Sequence, residues 1–224
     1  MAKSRKSAAL GDLLEAAPGA PETVPIADGA VLLRGFAASL APALVDAVAA
    51  ITAQAPLRHM ITPGGFRMSV AMTNCGAAGW ITDRRGYRYQ AEDPETGRPW
   101  PPLPAVFLDL ADRAAGAAGF QDFVPDACLI NRYEAGSRLS LHQDRNERDY
   151  AAPIVSVSLG LPALFLFGGP ERNQRAKRIP LHSGDVVVWG GSSRLFFHGV
   201  DTFADGEHPL TGRHRFNLTL RKAL

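Results

Sequence analysis

The sequence predicts a mainly β protein of α+β type, in which helices precede a run of short antiparallel strands. Three observations predict it. The second half holds five short apolar runs, each bounded by turn residues: Ala127 to Tyr133, Ile154 to Phe167, Asp185 to Trp189, Leu195 to Val200 and Arg215 to Arg221. The 22 Gly and 17 Pro fall largely between such runs, which favours a turn-rich β protein over a helical bundle. Helical spacing is confined to two stretches ahead of them. A sandwich or jelly roll is the architecture that such strands build. With 224 residues, 46% of them hydrophobic, the chain has material for one sizeable core.

Taken in order, residues 1–22 read as a loose arm rich in Ala, Ser, Lys and Pro, closed by Pro18 and Pro21, and 23–224 as a single domain. Val31 to Phe36 reads as a strand. Ser39 to Thr52 places Leu40, Leu44, Val45, Val48 and Ile51 at steps of three and four, an amphipathic helix with Ser39 as its expected N-cap. Residues 62–99 change character. Among the glycines and prolines there sit Phe66, Met68, Met72, Trp80, Tyr87 and Tyr89, with Arg67, Arg84, Arg85 and Arg88, a composition that suits a cover over a site as well as an ordinary meander. A second helix is expected from Pro104 to Ala118, with Val106, Phe107, Leu110 and Ala114 inward. Ile154 to Leu161 alternates apolar residues with Ser or Gly, so one of its faces is apolar and the other small.

Composition narrows the function classes. A net charge of +2 permits a polyanionic partner without demanding one. Two cysteines, Cys75 and Cys128, argue against a disulfide framework and read as small buried groups. No run approaches the roughly 18 apolar residues of a membrane span. The basic N-terminus is followed by an apolar stretch broken at Gly11 and Asp12, too short for a signal peptide, so a cytoplasmic location is expected.

The chemistry begins at His142-Gln143-Asp144. On a strand, residues two apart share a face, so His142 and Asp144 reach toward one metal while Gln143 points away. His198, at the end of the apolar run Leu195 to Phe197, supplies a third ligand. Two His and one carboxylate make the facial triad of non-haem iron(II) oxygenases, although a zinc hydrolase uses the same donors. The last strand separates the two. Arg215, Asn217, Thr219 and Arg221 share one face, and Phe216, Leu218 and Leu220 the other. If the apolar side packs on the core, two arginines line a cavity and require anions, because an unpaired buried charge is costly. A dicarboxylate co-substrate meets that requirement through forked guanidinium contacts. Asn131 and Tyr133 form a similar pair just upstream of the metal segment.

With those residues in hand, the chain resembles the AlkB family of Fe(II)/2-oxoglutarate-dependent nucleic-acid alkylation-repair dioxygenases. The order N-R-Y (131–133), S-L-H-Q-D (140–144), His198 and R-x-N-L-T-x-R (215–221) carries the likeness. So do TPGG (62–65), MSVAMTNCG (68–76), PDACLINRY (125–133), APIVSVSLGLPA (152–163) and GDVVVWGG (184–191), from about Val31 to Arg221. The resemblance implies a double-stranded β-helix (jelly roll) with N-terminal helices, a nucleotide-recognition lid over 62–99 and a catalytic core over 125–224. It implies Fe(II) on His142, Asp144 and His198, with 2-oxoglutarate and O2 as co-substrates. It implies that Arg215 pairs with the far carboxylate of 2-oxoglutarate, assisted by Asn131, Tyr133 and Asn217, with Arg221 near the metal-bound carboxylate. Trp80 and His142 resemble the pair that sandwiches a flipped base, and Met72, Tyr87 and Arg172 other pocket walls. Glu147 resembles a pocket carboxylate that favours cationic lesions.

The implied reaction is oxidative dealkylation of bases of the 1-methyladenine and 3-methylcytosine type in DNA or RNA, releasing succinate, CO2 and an aldehyde. Single-stranded DNA is the expected partner and a monomer the expected state. Three positions depart from the bacterial pattern. Asn146 stands where Asp is found, facing the damaged base, which bears on the preference among lesions. Phe66 and Phe216 each stand where Tyr is found. Two alternatives share parts of this pattern: a 2-oxoglutarate dioxygenase of proteins or small molecules, which would lack the Trp80 lid, and a non-catalytic jelly-roll binding module, which would survive loss of His142 or Asp144.

Overall fold

The structure is a computed structural model that describes residues 22–224. The expected arm lies outside the described residues except for Glu22, which opens a strand instead of closing the arm. In chain order the elements are β1 (Glu22–Ala27), β2 (Ala30–Arg34), α1 (Ala41–Gln54), β3 (Ala71–Gly76), β4 (Gly79–Asp83), β5 (Gly86–Gln90), α2 (Ala105–Ala117), β6 (Ala127–Tyr133), β7 (Leu139–His142), β8 (Ile154–Gly160), β9 (Ala163–Phe167), β10 (Lys177–Leu181), β11 (Val186–Trp189), β12 (His198–Val200) and β13 (Arg215–Arg221). A seven-stranded sheet runs β1-β2-β11-β8-β13-β6-β3, and a four-stranded sheet β10-β9-β12-β7. Every pairing is antiparallel. Two facing antiparallel sheets with helices outside make the jelly-roll fold that the strand pattern predicts.

The pleat of the large sheet sorts its residues into two cores. Val186 and Val188, Val155 and Val157, Leu218 and Leu220 point to one side, where Leu44, Val48 and Ile51 of α1 and Phe107, Leu110 and Ala114 of α2 cover them. Val187, Trp189, Ile154 and Tyr133 point to the other, against Phe165, Phe167 and Leu181 of the small sheet. Cys75 and Cys128 face each other across β3 and β6 as free, buried thiols beneath the helices. Burial pushes the Cys128 thiol well above its usual range.

Several elements differ from their sequence expectations for local reasons. Ser39 is not the cap of α1. It lies in a 3-10 turn, Ala38–Leu40, and α1 starts at Ala41 with no side-chain cap, Pro42 standing in the first turn where its missing N–H leaves nothing unsatisfied. The run Ile154 to Phe167 is two strands. Gly160 turns there with φ +89°, and a Cβ on it would lie 2.3 Å from Thr211 Oγ1 and 2.5 Å from the His214 carbonyl oxygen. The chain thereby leaves the large sheet as β8 and enters the small one as β9. Leu195 to Phe197 is not strand. A 3-10 turn, Gly191–Ser193, precedes it and only His198–Val200 pairs, so His198 begins a strand instead of ending one. Asp185 stays outside β11 because its carboxylate accepts bonds from Arg34, the Gly35 amide and the His182 amide. Within 62–99, β3 is a buried strand of the large sheet, and only β4 and β5 form a separate hairpin.

Candidate active site

Strand β13 builds the floor. Arg215, Asn217, Thr219 and Arg221 face away from the helices, opposite Tyr133, Asn131, Leu129 and Ala127 of β6, with Gly160, Ser158 and Ser156 of β8 on the other flank. The small face legible in Ile154 to Leu161 is what leaves room for them. Arg215 donates to Ser158 Oγ at 2.8 Å and to the Leu161 carbonyl at 3.3 Å. Asn217 Nδ2 donates to Ser156 Oγ at 2.8 Å, and its Oδ1 accepts from Asn131 Nδ2 and Thr219 Oγ1. Arg215 is only 1% exposed, yet no carboxylate pairs with it among the described residues, and its Nε has no partner. Burial drives its pKa down to about 10 against the pull of Tyr133 and Asp185. A buried cation with a free donor and no counter-ion is arranged to receive an anion.

The metal-ligand cluster stands above this floor. His142 ends β7 and His198 begins β12, and the two are register partners, which brings their rings to 4.4 Å between centroids. Asp144 lies two residues past the strand end. The ligand-type atoms of His142, Asp144 and His198 all lie within 4.8 Å of one another. Asp144 Oδ1 is 3.7 Å from His142 Nε2, and Oδ2 is 3.6 Å from His198 Nε2. Each Nδ1 bonds a backbone carbonyl, Ser140 for His142 at 2.9 Å and Phe196 for His198 at 3.0 Å. A carbonyl only accepts, so each Nδ1 carries the proton and each Nε2 offers its lone pair. Burial and the facing His198 hold the His142 imidazole down to about 4, which keeps it neutral and able to ligate. The donor set and its tautomers fit one Fe(II) with open positions.

Asp144 is tied to Arg221 and Arg194. Arg221 donates to Asp144 Oδ2 from Nε at 3.1 Å and from Nη2 at 2.6 Å. Arg194 Nη1 donates to the Asp144 carbonyl at 2.8 Å. Burial raises the Asp144 carboxyl pKa, but Arg221 and both histidines outweigh it and hold the group well below the usual carboxylate range. Glu147 does not join the cavity wall. It is 5% exposed, accepts from Tyr89 Oη at 2.7 Å, and lies 3.3 Å from Arg194 and 3.5 Å from Arg221. Glu147 is not among the residues lining the cavity: Tyr89 Oη and Arg221 meet its Oε1, and Oε2, near Arg194, has no hydrogen-bond partner among the described residues.

The β4–β5 hairpin roofs the site. Trp80 and Tyr87 stack across it at 5.7 Å and 22°. Buried Asn74 of β3 clamps the hairpin, accepting from the Trp80 amide at 2.9 Å and donating to the Trp80 carbonyl at 3.0 Å. Trp80 Nε1 donates to Asn146 Oδ1 at 3.0 Å. Between roof and floor is a cavity of about 520 Å³. It is lined by all three members of the cluster, by Asn131, Tyr133, Arg215, Asn217 and Arg221 at the floor, and by Met72, Trp80, Tyr87, Asn146 and Arg172 toward the rim. Of the residues that the resemblance assigns to the site, Glu147 alone is not among those lining the cavity. Sequence reasoning missed Arg194, Tyr89 and Asn74 as positioning groups. The Ser156–Ser158 alternation was a visible signal, whereas nothing local marks Arg194, whose partners Asp144 and Ala152 lie 50 and 42 residues away.

Comparison with known proteins now fixes the class: the chain belongs to the 2OG-Fe(II) oxygenase superfamily, whose family model matches residues 29–221. It is therefore an Fe(II)- and 2-oxoglutarate-dependent dioxygenase. Within that superfamily it falls among the AlkB dioxygenases. It is 57% identical to the alpha-ketoglutarate-dependent dioxygenase AlkB of Salmonella typhimurium and 58% identical to that of Escherichia coli K12, each over 91% of this chain and 94% of the relative. The solved structure of OsALKBH1 superposes with a TM-score of 0.80 at 28% identity, covering 90% of this chain and all of that one.

Proposed function

We propose that the protein removes alkyl groups from N-alkylated nucleic-acid bases, of the 1-methyladenine and 3-methylcytosine type, with single-stranded DNA as its first substrate. The observation that carries this is one cavity holding three things in order: an unpaired buried guanidinium, the His142–Asp144–His198 cluster, and a stacked aromatic roof. The AlkB relatives and the human nucleic acid dioxygenase ALKBH1, 36% identical over 54% of this chain, support a nucleic-acid substrate. Bound iron with 2-oxoglutarate and O2 supplies an oxidant for the N-alkyl carbon, so that base–N–CH3 + 2-oxoglutarate + O2 gives base–NH + formaldehyde + succinate + CO2.

The chain's own residues do the rest. His142, Asp144 and His198 hold the metal. Arg215 takes the far carboxylate of 2-oxoglutarate, with Asn131, Tyr133 and Asn217 shaping that end, and Arg221 steadies Asp144. A base inside a duplex or a stacked strand cannot reach the cluster, so it leaves the stack and lies against Trp80, with His142 beneath and Met72, Tyr87 and Arg172 around it. The β4–β5 hairpin within residues 62–99 supplies the roof, and exposed Arg67 and Arg84 beside it suit phosphate contacts. Action as a monomer belongs to the same proposal. Among the described residues no helix is long and apolar enough to cross a membrane, and a cytoplasmic site of action belongs to the same proposal.

Mass spectrometry of methylated oligonucleotides treated with enzyme, Fe(II), ascorbate and 2-oxoglutarate tests it. Loss of 14 mass units (about, per methyl) with matching formaldehyde is expected. Formaldehyde release from free methylated amino acids but from no oligonucleotide would favour the protein or small-molecule alternative.

A further inference from the structure

We infer that Tyr89 is a positioning residue for the metal ligand Asp144: its hydroxyl satisfies Glu147 and so leaves the Arg221 guanidinium to Asp144. Two buried carboxylates, Asp144 and Glu147, stand beside that one guanidinium. Arg221 donates to Asp144 Oδ2 from Nε at 3.1 Å and from Nη2 at 2.6 Å, while its Nε lies 3.5 Å from Glu147 Oε1. Distance favours Asp144, but a buried carboxylate short of donors is costly, and Glu147 has few. Its side chain is 1% exposed, and Oε2, 3.3 Å from Arg194 Nη2, has no hydrogen-bond partner among the described residues. The one hydrogen bond that its carboxylate accepts among them comes from Tyr89 Oη, at 2.7 Å to Oε1. Burial pushes the Tyr89 phenol well above its usual range, so the hydroxyl keeps its proton and remains a donor.

The same hydroxyl oxygen also accepts. Arg221 Nη1 donates to it at 3.4 Å, so every nitrogen of the guanidinium is directed, two to Asp144 and one to Tyr89. Tyr89 is not among the residues lining the cavity, so it acts through Arg221 and not by touching a base or co-substrate. Without the hydroxyl, Glu147 Oε1 loses its donor and Arg221 Nη1 its acceptor. The turn that satisfies Glu147 carries the guanidinium away from Asp144. Asp144 lies beyond the end of β7, where no ladder holds it; Arg221 fixes its carboxylate and Arg194 Nη1 its carbonyl. Loosening that carboxylate weakens the grip on the metal. The two strands of the roof hairpin are thus fastened for different ends. Asn74 holds β4 and places Trp80 over the cavity, whereas Tyr89 on β5 serves the metal ligand. The inference concerns the metal site and does not depend on which substrate the cavity takes.

The test titrates Mn(II), a redox-stable stand-in for Fe(II), into the full-length protein and reads free Mn(II) by electron paramagnetic resonance. Tyr89→Phe keeps the ring and loses the hydroxyl; it is expected to raise the Mn(II) Kd about tenfold or more, the usual effect of losing a group that orients a metal ligand. Glu147→Gln removes the competing charge and is expected to leave the Kd near that of the wild type. The double variant Tyr89→Phe/Glu147→Gln is expected to recover most of the loss. Recovery separates this role from a merely structural one, because two independent structural defects add. With a methylated oligonucleotide, Tyr89→Phe is expected to lower kcat more than it raises KM, the reverse of the split expected for Asn74→Ala. An unchanged Kd in Tyr89→Phe, or a double variant that binds Mn(II) no better than Tyr89→Phe, overturns the inference. If Tyr89→Phe does not melt cooperatively, Glu147→Gln alone decides. A Kd raised as far as that expected for Tyr89→Phe overturns the inference, since Glu147 would then support Asp144 and not compete with it. The titration needs no substrate, so failure of the base-dealkylation proposal leaves its outcome intact.

Discussion

Arg215→Ala is the sharpest perturbation of the floor. In the protein without 2-oxoglutarate, the Arg215 guanidinium is buried with two neutral acceptors, Ser158 Oγ and the Leu161 carbonyl, and no counter-charge. Its solvation is thus poorly replaced, and burial holds its pKa down to about 10. Under the proposed function, the far carboxylate of 2-oxoglutarate gives the guanidinium the partner it lacks. Truncating one member of such a buried, hydrogen-bonded charge pair costs about 2–5 kcal/mol, which is roughly 30-fold to several thousand-fold in affinity. Anaerobic titration calorimetry of 2-oxoglutarate into the Fe(II)-loaded variant reads that change directly. Thermal melting gives an independent sign. Without co-substrate, removal of an uncompensated charge is expected to offset part of the cavity it leaves, whereas the 2-oxoglutarate-induced rise in Tm of the wild type is expected to shrink sharply in the variant. Arg215→Lys keeps the charge but not the fork and should fall between. Unchanged 2-oxoglutarate affinity in Arg215→Ala would refute the assignment of that carboxylate to Arg215.

Three further outcomes are expected. Asp144→Asn removes one metal ligand and the main partner of buried Arg221, so turnover should be abolished and Tm should fall; full iron content by metal analysis would count against the cluster. Trp80→Ala should weaken oligonucleotide binding by about 1–3 kcal/mol, the worth of one base stack, with 2-oxoglutarate affinity unchanged, because Trp80 lines the rim and not the floor. Equal binding in a fluorescence-anisotropy titration would sink the roof assignment. Asn74→Ala removes both bonds that hold the Trp80 backbone to β3, so the oligonucleotide KM should rise more than kcat falls. Each hydrogen bond is worth about 0.5–1.5 kcal/mol, so unfolding in urea should show a loss near the sum of two.

Much of the site was legible as periodicity. Alternation along Arg215 to Arg221 put the two arginines on one side and Leu218 and Leu220 on the other. The Ser and Gly spacing of Ile154 to Leu161 announced a small face, which is the flank that Arg215 and Asn217 bond. Helical spacing found α1 and α2 to within a turn. These features need only neighbours along the chain, because the pleat and the helical turn fix which side chains share a face.

What neighbours cannot specify is who stands across a gap. Glu147 lies three residues from Asp144, yet its carboxylate meets Tyr89, 58 residues away, and is not among the residues lining the cavity. Asn146, adjacent to it, is held in the cavity by Trp80, 66 residues away. β3 joined the large sheet because its buried Met72, Thr73 and Cys75 pair with β6, while the hairpin beyond Gly76 found no such edge and became the roof. Residue types and their spacing thus determined which ligands, which charges and which faces this protein has. Tertiary packing alone decided which charges are neutralised, which donors remain free and which segment covers the cavity, because those outcomes depend on long-range partners competing for the same lone pairs and sheet edges.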